Sequence, residues 1–394
     1  YRIGKWNLYA SGIIRGGDMR YTQSTYQEQY MSSDTIISEI LTDWYDLSDM
    51  RRGVLGFEYQ PDDRNFFSLN LVAAYQRDGS LNDARISEFS NEGQQFIHTE
   101  LLNHHPAHNQ EANLFYEHKF DDNGHLLSAN LFYFRWDGVQ SSRLKSATSA
   151  TSMPSLESTQ LINRSFVDND HPQARLAIDY ELPTGDKSKL EAGYFLQINH
   201  IDWELGVEGP RSLPGDTLYS GDELYNSFYN RQIHALYTTY SNQWKKLSYK
   251  LGLRAEYNMR TFDMHEEALD SSLSIVNFFP SLHLTYNLGE KQNLSLNYSR
   301  RLTRPNAWHM LLIPEFNSLY AVQYGNPELD FEFLHTSEVS YYINWDDFSL
   351  STDVYFNQTN DRIRGVSLGA FNGLVLDQRA NIGISRRIGV DIGA

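Results

Sequence analysis

The chain of 394 residues contains no cysteine, so no disulfide framework holds it together. That absence suits a protein that crosses an oxidising compartment, although cytosolic chains can lack cysteine too. Basic side chains are also scarce, because 33 Lys and Arg stand against 50 Asp and Glu and leave a formal net charge of −17. Binding to nucleic acid needs clustered cations that neutralise phosphates, so this balance excludes a nucleic-acid partner.

Long apolar runs are missing as well. No segment approaches the 18 or more apolar residues of a spanning helix, and the mean hydropathy is −0.54. Both observations exclude a helical membrane protein. They do not exclude a transmembrane barrel, since only alternate residues of its strands face lipid and the average hydropathy then resembles that of a soluble protein.

Aromatic residues are abundant, with 26 Tyr, 21 Phe and 7 Trp, which excludes a disordered chain. They recur in segments where apolar or aromatic residues alternate strictly with polar or small ones, most clearly over residues 247–258. One face of this segment is apolar or aromatic: Leu247, Tyr249, Leu251, Leu253, Ala255 and Tyr257. The other face is polar or small: Ser248, Lys250, Gly252, Arg254, Glu256 and Asn258. Such a period of two over about 10 residues predicts a tilted strand that crosses a bilayer.

The connections between these strands indicate the architecture. Short connections are predicted at residues 61–65, 121–124, 183–188, 245–246, 289–292 and 346–347. Long ones alternate with them at about 15–50, 77–110, 137–170, 201–229, 260–276, 303–332 and 365–373. Short periplasmic turns and long extracellular loops are typical of an outer-membrane barrel, whereas a soluble sandwich has no reason to place all its long loops at one end. We therefore predict an all-β, up-and-down antiparallel transmembrane β-barrel with about 14 strands, the first and last incomplete.

The segment from Phe278 to Ile363 resembles the barrel of the TonB-dependent outer-membrane receptors, in particular their outer-membrane β-barrel branch. The motifs that carry the resemblance are FFPSLHLTYNL at 278–288, LSLNYSRRLTRP at 294–305, YGNPEL at 324–329 and YFNQTNDRI at 355–363. GLRAEY at 252–257 and the NIG and GVD motifs within 381–391 are also similar to that family. The residues before 252 resemble it mainly in the rhythm of their hairpins.

This resemblance implies an active importer in a Gram-negative outer membrane. Extracellular loops would capture a scarce nutrient, and a TonB complex, contacting a segment outside this chain, would remodel a plug domain. The family barrel has about 22 strands. Residues 1–394 are therefore expected to be one partial barrel domain without a plug, cut at both ends from a larger barrel.

Several family motifs have a structural explanation. Arg301 and Arg304 are expected where a strand leaves the membrane, and Pro305 is expected to end the ladder because it has no backbone donor. Gly325, Asn326 and Pro327 predict a turn at the extracellular rim. Tyr and Trp at strand ends predict the aromatic girdles of the two membrane interfaces.

The second long loop contains the densest set of metal-binding residue types: His98, Glu100, His104, His105 and His108. Imidazoles beside a carboxylate can bind a transition metal or a metal-bearing ligand such as haem. Pro106 prevents a regular helix from presenting the set on one face, however, and a solvated loop is the favoured interpretation. These residues are candidates for ligand contact, and no structural metal or cofactor is predicted.

Aromatic side chains in the loops form a second set of ligand candidates, chiefly Trp44, Trp203 and Trp308. Indole rings stack on sugars or peptides, but they also pack loops together. Acidic loop residues such as Glu39 and Asp43 could attract Ca²⁺, yet no EF-hand spacing supports a site.

The sequence contains no nucleophile elbow, phosphate loop or zinc-ligand pattern with supporting context, so no catalytic residues and no enzymatic activity are predicted. Two further hypotheses stand beside nutrient import. A barrel without transport activity could serve as a structural or assembly subunit of an outer-membrane complex, or the chain could be a soluble secreted β-protein. Expected partners are outer-membrane lipid, a TonB complex, and a surface lipoprotein or other outer-membrane subunits.

Overall fold

A computed structural model describes residues 2–30, 35–157, 161–208, 223–264, 269–311, 315–318, 321–345, 348–371 and 374–393. The first strands are β1 (Arg2–Ile3), β2 (Trp6–Tyr30), β3 (Thr35–Tyr59), β4 (Asn65–Ser90), β5 (Gly93–Lys119), β6 (Leu126–Ser149) and β7 (Leu161–Gly185). They continue with β8 (Ser188–Glu208), β9 (Glu223–Trp244), β10 (Leu247–Met264), β11 (Leu269–Gly289), β12 (Gln292–Thr303), β13 (Glu315–Ser318) and β14 (Ala321–Tyr324). The last strands are β15 (Glu332–Asn344), β16 (Ser349–Asn360), β17 (Ile363–Phe371), β18 (Leu374–Asn381) and β19 (Ile384–Gly393), and Ala307–Met310 form one 3₁₀ turn.

Fifteen of these strands form one antiparallel sheet in the order β1 to β12, β15, β16 and β19. Every long strand pairs with its neighbour in sequence, apart from the two places where an extracellular insertion intervenes. The two-residue β1 adds to the edge of β2, so the sheet contains 14 long strands. The predicted all-β, up-and-down architecture and its approximate strand number are thereby confirmed.

The lengths predicted for the extracellular loops are wrong. The segment predicted as a loop over residues 15–50 is a hairpin of two 25-residue strands, paired without interruption from Trp6 with Tyr59 to Tyr30 with Thr35. Residues 77–110 and most of 137–170 likewise belong to β4 to β7. The first predicted strand, β2, is thus full length. Backbone hydrogen bonds continue above the membrane, but the apolar alternation fades there because neither face of the sheet contacts lipid.

Short turns close the other end of the sheet at five of the six predicted positions, and the sixth, 346–347, lies outside the described residues. Asx hydrogen bonds stabilise two of them. The Asp62 carboxylate accepts from the amides of Arg64 and Asn65 at 2.9 and 2.7 Å, and the Asp121 carboxylate accepts from the amides of Asn123 and His125 at 2.8 and 3.2 Å.

The two faces of the sheet separate as predicted. On β10, Leu251 and Leu253 are about half exposed on the lipid-facing side, whereas Glu256 and Asn258 are buried on the opposite side, here called the lumen face. Near the short turns the lipid face carries stacked aromatic rings, with centroids 6.2 Å apart for Tyr59 and Phe67. Tyr116 continues the row at 4.6 Å from Phe67. These rings match the predicted interfacial girdle.

Within the described part of the chain, no helix is long and apolar enough to span a bilayer. The largest apolar core lies instead on the lumen face, where the connection between β12 and β15 folds back against β8, β9 and β10. Its members are Ile201, Trp203, Leu205, Tyr225, Tyr229, Phe262, Met264, Ala307, Met310, Leu311 and Leu329. This core fixes the β12–β15 insertion to the inner wall.

Candidate ligand-binding lumen

A buried polar network joins β10 to the start of the β12–β15 insertion. Arg304 donates to the carboxylate of Glu256 and, at 3.0 Å, to the side-chain oxygen of Asn258. Arg254 donates to the other Glu256 oxygen at 2.7 Å. Glu256 and Asn258 are 7% and 1% exposed, so this carboxylate is desolvated and depends on its two arginines. Arg304 therefore anchors the insertion to the wall of the lumen.

The predicted turn at Gly325 packs against an earlier segment of the same β12–β15 insertion. The Gly325 amide donates to the Leu311 carbonyl at 2.9 Å, and the Asn326 amide donates to the His309 carbonyl at 2.7 Å. A Cβ at position 325 would lie 2.0 Å from the Leu311 oxygen, so only glycine allows this approach. The YGNP motif thus encodes a close backbone crossing.

A second extracellular insertion, between β16 and β19, is held to the first by Asn381. Its side-chain oxygen accepts from the Asp330 amide at 2.8 Å, and its amide nitrogen donates to the carbonyls of Asp330 and Asp361 at 3.0 and 2.8 Å. Asn326 also donates to the Arg379 carbonyl at 3.0 Å. Strands β13, β14, β18 and β17 form a separate four-stranded sheet in which β14 runs parallel to β18. The two insertions are therefore one unit.

The predicted histidine cluster is divided between two faces of β5. Alternate side chains of a strand point to opposite faces, so His98, Glu100, His104 and His108 share the outward face and His105 lies on the lumen face. His98 contacts Asp83 at 2.9 Å and the Pro154 carbonyl at 3.0 Å.

The remaining members of this set have other partners or surroundings. Glu100 pairs with Lys145 at 3.7 Å, and His108 packs on Tyr75. Burial lowers the pKa of His105. Among the described residues, no group of three His, Asp or Glu side chains could hold a metal ion.

The three candidate tryptophans lie in two places. Trp44, on the lumen face of β3, stacks on Tyr21 with ring centroids 5.7 Å apart. Trp203 is 4% exposed in the apolar core, and Trp308 packs against that core from the 3₁₀ turn. The indole nitrogens of Trp44 and Trp203 are buried without a hydrogen-bond partner among the described residues. Ligand binding by the histidines and tryptophans stays a prediction.

The residues that organise this region include several that sequence reasoning did not single out: Glu256, Asn258, Arg260 and Asn381. Glu256 and Asn258 were assigned only to the polar face of a strand, and Asn381 only to a motif. The contacts that join these residues to Arg304, Leu329 and Asp330 span 46 to 69 positions of the chain, so no local pattern could reveal them.

Comparison with known proteins identifies the family to which this chain belongs. A sequence model described as "Outer membrane protein beta-barrel family" matches residues 118–394. The chain belongs to this outer-membrane β-barrel family. Its location is accordingly the outer membrane of a Gram-negative bacterium. The family match covers the inner-wall network, both extracellular insertions and the hairpins from β6 onward.

Solved structures confirm the barrel fold for this family member. The copper transporter OprC aligns with a TM-score of 0.59 and 13% identity over 100% of this chain and 59% of its own. The RagAB peptide transporter aligns with a TM-score of 0.52 and 12% identity, over 91% of this chain and 47% of its own. The ferric-catecholate import receptor Fiu of E. coli K12 aligns with a TM-score of 0.51 and 12% identity, over 97% of this chain and 62% of its own.

The chain thus spans about three-fifths of the first structures that it matches. No curated protein sequence matches it.

Proposed function

We propose that this barrel is the wall of an active transport receptor that captures a scarce nutrient at the cell surface and imports it with energy from a TonB complex. The observation that carries the proposal is the lumen face, which is lined by polar and charged groups and is partly covered by a folded extracellular insertion. The transporter structures named above have the same fold, which supports the proposal at the level of architecture.

In this mechanism the two joined insertions form the mouth of the barrel and the lumen face forms the path below it. Arg304, Glu256 and Asn258 hold the β12–β15 insertion against the wall, so cargo meets a preorganised surface. The apolar lipid face keeps the wall in the membrane. Energy coupling resides in the TonB-contacting segment and in the plug.

The test uses the full-length protein in its native outer membrane. Cells that express it and cells in which only its TonB-contacting segment is deleted are grown on a mixed nutrient extract, and mass spectrometry follows which compounds disappear. Import predicts that at least one compound is depleted only by the intact receptor and that a protonophore stops its depletion. Surface labelling of both proteins controls for assembly in the membrane.

Equal depletion by both strains would overturn energy-coupled import. The structural alternative predicts equal depletion together with loss of another outer-membrane protein when the whole gene is removed. A surface lipoprotein that co-purifies with the receptor would identify the partner of such a complex, and its removal would then separate assembly from transport.

A further inference from the structure

Two arginines stand directly opposite each other on the lumen face. Arg231 of β9 and Arg260 of β10 are register partners in the antiparallel ladder. Their Cα atoms are therefore roughly 4.5 to 5.5 Å apart. Like charges at directly opposed positions destabilise a sheet unless something neutralises them. The position of this pair in a protein with a net charge of −17 calls for a counter-charge.

The described residues provide only a longer-range one, because the Asp330 carboxylate acts electrostatically on Arg260 without forming an ion pair with it. Arg260 is 6% exposed and donates through Nη1 to the Leu329 carbonyl at 2.7 Å, which is a neutral acceptor. Arg231 donates through Nη2 to the side-chain oxygen of Asn199 at 3.4 Å, also neutral and long. The Nε atoms of both arginines are buried and have no hydrogen-bond partner in the part of the chain that the structure describes. Neither guanidinium has a carboxylate within ion-pair distance among the described residues.

The nearby network adds positive charge. Glu256, the buried carboxylate next along the lumen face, is already bound by Arg254 and Arg304. Asn199, which contacts Arg231, also lies 3.3 Å from the ring of His171. Four arginines share this part of the wall with the carboxylates of Glu256 and Asp330, and the half-buried guanidinium of Arg231 is the group whose terminal N–H donors can bind an oxyanion.

We propose that Arg231 and Arg260 form a binding site for an oxyanion, a carboxylate or a phosphate group, carried by the transported cargo. The site lies on the inner wall immediately below the apolar core that fixes the β12–β15 insertion, so an anion bound there has passed the mouth. The assignment to cargo rests on the proposed function. The oxyanion chemistry rests only on the two arginines and their contacts.

Inorganic phosphate is the probe. Full-length receptor in detergent is titrated with phosphate against chloride at equal ionic strength, and its thermal unfolding temperature is followed. The wild-type protein is expected to become more stable with phosphate than with chloride, because an anion bound to the folded state alone stabilises it. Arg231→Gln is expected to weaken phosphate binding about 10-fold, as for loss of one charged hydrogen-bonding partner.

Arg231→Gln carries a second signature that a merely structural residue would not show. Removing one of two opposed charges should raise the unfolding temperature in chloride while abolishing most of the phosphate response. Arg231→Lys keeps the charge and should retain most of that response. Arg301→Gln, at an exposed arginine on the lumen face of β12, is the matched control and should behave like the wild type.

Two results would overturn the proposal. Equal stabilisation of the wild type by phosphate and chloride would exclude an oxyanion site open to cargo. If Arg231→Gln also lowered the unfolding temperature in chloride, the anion would be a carboxylate of the receptor's own polypeptide. Nutrient depletion is measured separately, so import that continues after a negative phosphate result leaves the proposed function standing. Phosphate binding without energy-dependent import would reject that function alone.

Discussion

Arg304 of the β12–β15 insertion binds the carboxylate of Glu256 on β10, which lies 48 positions earlier in the chain. The carboxylate is buried and also binds Arg254. This polar contact holds the insertion to the wall, as the apolar core does above it. It ties the end of the LSLNYSRRLTRP motif to the inner wall. The position of the mouth therefore depends on a charge pair inside the lumen.

Replacing Arg304 with Gln should release the insertion without unfolding the barrel. Glu256 would keep one arginine and lose the other, at a cost of about 1 to 3 kcal/mol for the uncompensated buried group. We expect faster limited proteolysis between residues 304 and 331 at an unchanged barrel unfolding temperature. Arg301→Gln is the control. Unchanged proteolysis in Arg304→Gln would show that the ion pair does not hold the insertion.

Gly325→Ala should displace the crossing between the two halves of the same insertion. The new methyl group would lie 2.0 Å from the Leu311 oxygen, and a backbone atom cannot rotate away. We expect loss of the hydrogen bond from residue 325 to Leu311, seen as faster amide exchange there. Gly365→Ala is the matched control, since no atom lies within 4 Å of its added Cβ. Equal exchange in both variants would contradict the close approach.

Leu253→Arg tests which face of β10 meets lipid. An arginine near the middle of the bilayer is expected to destabilise a barrel by about 2 to 4 kcal/mol. Ser281→Arg, on the lumen face of β11, should cost far less because water reaches that side. Reversible denaturant unfolding in lipid vesicles measures both. A larger loss in the lumen variant would reverse the assignment of the two faces.

The Asp121 turn should open in acid. A hydrogen bond from the Asn123 amide holds the pKa of the Asp121 carboxyl below its ordinary value. A carboxylate whose folded pKa is depressed stabilises the turn fully above its unfolded pKa, about 3.9, and the contribution is lost as the pH falls through the folded pKa. The protection of the Asn123 amide against exchange, taken relative to the intrinsic exchange rate at each pH, should decrease below about pH 4. In Asp121→Asn that pH-dependent loss of protection should be absent, and its persistence there would assign the effect to another group.

The features that are easiest to predict from the sequence are those that contact with lipid requires. Leu251 and Leu253 alternate with polar neighbours because one side of β10 contacts hydrocarbon, so the spanning strands and five described turns are found at their predicted places. Above the membrane, neither side of β2 or β3 contacts lipid, so the apolar period disappears there. For this reason the sequence predicts loops for the upper parts of these 25-residue strands.

The candidate site is harder to predict because its contacts are nonlocal. Arg304 is notable in the sequence only as part of a motif, and its partner Glu256 is an ordinary polar-face residue of another strand. The histidines of β5 attract attention through their spacing, yet the twofold period of a strand divides them between opposite faces. A loop or a helix would have grouped the same residues differently.

The unexpected length of the strands determines how far the barrel reaches from the cell. A strand of 27 residues such as β5 rises about 3.3 Å per residue and, at a tilt of about 40°, spans roughly 70 Å along the barrel axis. The apolar band occupies about 25 Å of this, so roughly 40 Å of hydrogen-bonded wall stands outside the hydrocarbon. For the proposed importer, this wall forms a stiff vestibule above the membrane whose width, set by sheet curvature, would limit the size of the cargo.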